Sequence, residues 1–67
     1  MNRIKVILQE QGRSQKWLSK QIGKSYVVVT NYCNNNKQPS IATLYKIAEV
    51  LSVNVGDLLN DTSTLPA

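Results

Sequence analysis

The residues that could do chemistry are gathered at positions 25–34, in the run SYVVVTNYCN. Coiled as a helix, this run puts Tyr26, Val27, Thr30, Asn31 and Asn34 on one side. No Asp or Glu occurs from residue 24 to residue 37. A helix that need only be solvated usually mixes Glu with Lys. A helix laid against a duplex must avoid carboxylates and offer amides, hydroxyls and methyls to base edges: an Asn amide pairs with adenine, and a Val packs on a thymine methyl. The chemistry implied is readout in a major groove, with the rest of the chain aiming the helix.

Bond-making chemistry has little to work with. There is no His and no Gly-rich phosphate loop, and the four acids, Glu10, Glu49, Asp57 and Asp61, are scattered over different elements. None pairs a general base with a nucleophile, so an enzyme is not expected. The single cysteine, Cys33, permits no intrachain disulfide, and without His a structural zinc is not expected either. No cofactor is implied. Cys33 itself is expected to be buried and inert rather than a redox sensor.

Eight Lys and Arg against four Asp and Glu give a formal charge of +4. That excess favours a polyanionic partner, although basic charge alone is weak evidence. No apolar run approaches the roughly 20 residues of a membrane span, and the N-terminal MNRIKVILQE is broken by charge and lacks a signal-peptide core. A cytoplasmic location is expected, with no membrane partner. At 67 residues the chain makes one small domain with a thin core and marginal stability. The domain is expected to span residues 1–60, followed by a flexible tail at 61–67.

Five helices must position the reading stretch. Residues 2–11 form the first, with Asn2 as its cap and Ile4, Ile7 and Leu8 on the core face. Val6 falls off that stripe, and Gly12 stops the helix. Ser14 caps the second helix, 15–22, which buries Leu18 and Ile22 with the small Ser19 where another helix crosses. Trp17 lies one position off that face as a half-buried cover, and Arg13, four residues earlier, can stack on it. Gly23 ends the second helix in a left-handed conformation and Ser25 caps the third. A three-residue connection, Gly23-Lys24-Ser25, is the mark of a helix-turn-helix.

The third helix is the boldest assignment. YVVVTNY in isolation suggests a strand, because β-branched residues lose rotamer freedom in a helix. The flanking turn and the helical spacing override that preference. Val29 and Cys33 then face the core, with Val28 and Tyr32 at its margin, and Asn35 ends the helix at positive φ. A polar loop follows to Pro39. Ser40 caps a fourth helix, 41–51, whose apolar stripe is Ile41, Leu44, Ile47, Ala48 and Leu51, with Tyr45 and Val50 beside it. Asn54 caps a short last helix, 55–60, with Asp57 in its first turn. Leu58 and Leu59 cannot both point inward, which leaves one for a partner chain.

This pattern resembles, over residues 4–60, the five-helix DNA-binding domain of phage repressors, the XRE-type helix-turn-helix family. The resemblance is carried by Ser14-Gln15, Leu18, Ile22-Gly23, Ser25, Val29, Pro39-Ser40, Leu44, Ile47-Ala48, Leu51, Val53 and Asp57-Leu58-Leu59 at matching spacing with no insertion. It implies an all-α, lambda-repressor-like fold, binding of double-stranded DNA as a two-fold homodimer, and a role in transcription. Carried over by position, base contacts fall on Tyr26, Val27, Thr30 and Asn31. Phosphate contacts fall on Gln15, Asn34, Asn36 and Lys37, to which Ser25, Arg13 and Lys16 are added as candidates. Lys20 and Lys24 would add screened long-range attraction. Val53, Val55 and Leu59 are the candidate dimer seam, the plainer reading being that they close the monomer core.

Three positions depart from the family pattern. Leu8 and Cys33 stand where the family often has an Arg–Glu ion pair, and an apolar contact between them is expected in its place. Asn35 replaces the usual glycine and should still adopt the left-handed conformation. Arg13 replaces a buried aliphatic residue and must extend its guanidinium outward, toward the phosphate backbone. Stand-alone repressors, restriction–modification controllers and antitoxins all fit the pattern. The rival class is an antitoxin or protein-interaction module of the same fold, whose main partner is a toxin, an antirepressor or another protein.

Overall fold

The computed structural model describes residues 2–59. Its elements are α1 (Ile4–Gln11), α2 (Gln15–Ile22), α3 (Tyr26–Cys33), α4 (Ile41–Leu51) and α5 (Val55–Leu58). The run YVVVTNYC is helical as the spacing predicts, despite its three valines. Asn60 and the tail expected at 61–67 lie outside the described residues.

Three serines start three of the helices by one device. Ser14 Oγ accepts the Trp17 N–H at 2.9 Å, Ser25 Oγ the Val28 N–H at 3.1 Å, and Ser40 Oγ the Thr43 N–H at 3.2 Å. Each bond satisfies a donor that the helix itself leaves free, and such a cap contributes about 1 kcal/mol. In α5 the Asp57 carboxylate accepts the Asn54 backbone N–H at 3.1 Å. Gly23 ends α2 at φ 71 with open space around it, so backbone conformation rather than crowding calls for glycine there. Two non-glycine residues also take positive φ: Asn35 at 61, as expected, and Ser52 at 58, where α4 ends.

One apolar cluster holds the helices together: Ile4, Ile7, Leu8, Leu18, Val29, Tyr32, Cys33, Leu44, Ile47, Ala48, Leu51 and Leu58. α2 packs on both α3 and α4, α1 on α3, and α5 on α4. Leu18 is fully buried, and Ser19 beside it is the small residue at the crossing, its hydroxyl donating to the Lys16 carbonyl at 2.7 Å. Leu8 and Cys33 both lie in this cluster.

The structure corrects three expectations. α1 begins at Ile4 rather than Asn2; Asn2 Oδ1 accepts the Ile4 N–H at 3.0 Å from outside the helix. Ile41 is 71 % exposed, because the first residue of α4 lies ahead of the point where the helix meets the core. Tyr32 is buried rather than marginal, in one apolar cluster with Ile4, Ile7 and Leu8 of α1. Leu58 points in and Leu59 out, resolving the pair at the end of α5.

Candidate nucleic-acid interface

The turn between α2 and α3 sets the angle at which α3 is presented. Its inner face is pinned by Val29, Tyr32 and Cys33, which leaves Tyr26 55 % and Val27 66 % exposed. Thr30 and Asn31 are half-buried along the same side. The four candidate base readers therefore share one accessible flank, with the two bulkiest at the helix start. Asn34, at the end of the helix, is exposed beyond them.

Thr30 is not free-standing. Its hydroxyl donates to Gln15 Oε1 at 3.1 Å, across the two helices of the motif. The bond fixes the Gln15 amide, whose Nε2 makes no hydrogen bond among the described residues. Its two hydrogens are thus available to an acceptor outside the protein. Ser14, Gln15, Lys16 and Tyr26 line an open depression where α2 and α3 begin. The free N–H groups of an eight-residue helix, its dipole and the exposed Lys16 together suit an anion such as a phosphate. Ser25 accepts with its Oγ as a cap and keeps its own hydroxyl hydrogen to donate.

The other phosphate candidates sit beyond the far end of α3. The loop folds back so that the Asn31 carbonyl accepts the Asn36 N–H at 2.9 Å and the Lys37 N–H at 3.3 Å. That leaves the side chains of Asn34, Asn36 and Lys37 exposed beside the reading flank. Arg13 is exposed as expected, but its guanidinium lies 4.2 Å from the centre of the Trp17 ring and its Nε donates to Gln11 Oε1 at 3.2 Å. Its charge is held against the second helix by cation–π attraction.

Charge is distributed one-sidedly along the chain. Residues 11–48 contain no Asp or Glu, yet they hold Arg13, Lys16, Lys20, Lys24, Lys37 and Lys46. Burial pushes the Cys33 thiol above its ordinary value of 9.0, against a smaller opposing pull from the Lys5 ammonium. The thiol is thus protonated at neutral pH, as expected of an inert core cysteine.

The candidate seam residues are not gathered into one exposed patch. Val53 and Val55 are half-buried against the core cluster, while Leu59 is 45 % exposed. Sequence reading also missed a polar contact between the N-terminus and the loop after α3. Asn2 is joined there to Asn35 and Gln38 by hydrogen bonds that span 33 and 36 positions, and Gln38 donates in turn to Asn35. No periodic signal could reveal it, because the partners belong to no common element.

With this geometry the comparisons agree. No curated protein matches the chain. A solved crystal structure of a presumed DNA-binding protein from Bacteroides fragilis is 45 % identical, covers 90 % of this chain and 97 % of its own, and superposes with a TM-score of 0.88. The family model for the Cro/C1-type helix-turn-helix DNA-binding domain matches residues 3–63. The chain belongs to the Cro/C1-type helix-turn-helix DNA-binding family.

Proposed function

We propose that the protein is a small non-enzymatic transcriptional regulator, acting in the cytoplasm as a homodimer on a pseudo-palindromic operator. α3 enters the major groove, where Asn31 and Val27 read base edges, assisted by Tyr26 and Thr30. Gln15, Ser25, Lys16 and the loop residues Asn34, Asn36 and Lys37 grip phosphates on either side. These contacts orient the helix without reading sequence. The observation that carries this reading is the exposed flank of α3. It shows a valine to solvent, two-thirds exposed, beside polar amides and hydroxyls in a region without a carboxylate.

One module makes few base contacts, so useful specificity requires two, placed about 34 Å apart on the duplex. Leu59 is the accessible part of the proposed seam. Selection of bound duplexes from a random pool tests the whole reading. The winners should share two inverted half-sites about one helical turn apart. A pool that stays random after several rounds would sink it. Lys37→Ala should weaken binding to every duplex alike and lower the salt dependence by about one counterion.

A second reading is supported by Ile41 and Tyr45. They lie one turn apart on α4 and are 71 % and 62 % exposed. Such an apolar pair suits a protein partner, as an antitoxin or interaction module would need. Under that reading, binding to duplex DNA would be weak at all salt concentrations and would appear only with the partner present.

A further inference from the structure

We propose that Asn2 is a positioning residue for DNA binding: it holds the loop after α3 in its phosphate-gripping shape before DNA arrives. This rests on the DNA-binding reading above. Asn2 lies 33 positions before Asn35 in the sequence, yet the fold lays it along the loop. Its backbone N–H donates to Asn35 Oδ1 at 2.7 Å. Its side-chain Nδ2 donates to the Tyr32 carbonyl at 3.0 Å, at the end of α3, and to Gln38 Oε1 at 2.9 Å. Gln38 Nε2 closes the ring by donating to Asn35 Oδ1 at 3.2 Å. Asn2 Oδ1 accepts from Ile4, so both ends of the Asn2 amide are engaged.

The ring also accounts for Asn35. A non-glycine residue at φ 61 is strained, and glycine would relieve it. Glycine would also remove the oxygen that accepts from both Asn2 and Gln38. The strain is thus exchanged for a loop tied at both ends, with Asn36 and Lys37 lying between the tied residues. A loop ordered in advance loses less entropy when its side chains meet phosphates. The N-terminus is itself braced from behind: the Arg3 N–H donates to the Leu58 carbonyl at 2.7 Å, and Asn2 forms a β-bridge with Leu59.

The test combines two variants and two readouts. Asn2→Leu keeps the side-chain size and removes the two Nδ2 hydrogen bonds, to the Tyr32 carbonyl and to Gln38, while the backbone N–H to Asn35 stays. Asn35→Gly keeps the backbone conformation and removes the shared acceptor. In the free protein, both should speed hydrogen exchange at the Asn36 and Lys37 amides and leave the amides of α4 protected. On DNA, each should weaken binding about fivefold, the effect of about one net hydrogen bond. The loss should be alike on selected and random duplexes, and should shrink to less than about twofold in a Lys37→Ala background. Full additivity with Lys37→Ala overturns the proposal. So does faster exchange spread evenly over α4, which would make Asn2 a general stabiliser, and so does unchanged exchange at Asn36 and Lys37. If the unaltered protein binds no duplex, the DNA-binding reading fails, while the exchange data still judge the ring.

Discussion

Val27 and Val29 lie two positions apart in one helix, carry the same side chain and have opposite surroundings. Val29 is fully buried against the core, and Val27 is 66 % exposed. Helix propensity cannot favour either, since β-branching penalises both equally. What separates them is the face. Val29 gives α3 a fixed seat on the domain, whereas Val27 gives nothing to the domain that water would not take back. The difference teaches that the two faces of α3 answer to different surroundings, the inner one to the core and the outer one, under the proposed function, to a duplex. The two faces of α3 should therefore fail differently when altered.

The largest effect belongs on the inner face. Val29→Ala removes two buried methyl groups and should lower the unfolding free energy by about 2–3 kcal/mol. For a domain of this size that is roughly 10–20 °C in melting temperature. Duplex preference measured on the folded fraction should be unaltered, and a changed base preference would break the division between the faces. Asn31→Ala comes next. It should cost about 1–3 kcal/mol on the selected duplex, relax the preference at one base pair and leave the melting temperature nearly unmoved. Equal losses on selected and random duplexes would show that Asn31 does not read a base.

Val27→Ala should be milder. Stability should change by less than about 0.5 kcal/mol, while binding weakens by roughly tenfold or less, and only on sites bearing a thymine at the position touched. A fall in melting temperature comparable to that of Val29→Ala would erase the contrast between the two valines.

The smallest effect is on the inner face at Cys33. Its folded-state thiol titrates above 9.0 because burial disfavours the thiolate. The folded state therefore keeps its proton where the unfolded chain releases it. The resulting stabilisation is fully present below the unfolded value and is lost as pH rises through the raised folded value. Urea unfolding of the wild-type protein should thus be independent of this group near neutrality and show an alkaline decline that Cys33→Ala lacks. Parallel pH curves for the two proteins would mean that the thiol is not shielded.

Much of this was legible in the residues. The serine caps, the glycine stop at Gly23 and the left-handed Asn35 follow from local chemistry, in which each residue satisfies or relieves its own few neighbours. The all-α architecture follows from the spacing of apolar residues. Local rules failed where a helix position has to be referred to something distant. Ile41 fits the α4 stripe by periodicity but lies beyond the core's reach, and Tyr32 looked marginal by periodicity but is buried in the core cluster. The stacking of Arg13 on Trp17, four positions apart, did follow from local spacing.

By itself, then, the order of residues determined where α2, α3 and α4 begin and where α2 ends, which face of α3 lacks carboxylates and which apolar positions are compatible with a core. These are short-range properties, settled within a few residues by hydrogen-bond capping and side-chain periodicity. Tertiary structure alone decided which of Leu58 and Leu59 turns inward, how Thr30 is tied to Gln15, and that Asn2 meets Asn35 and Gln38. Those pairings depend on how rigid helices stack, and stacking brings together groups between which the intervening chain carries no periodic relation.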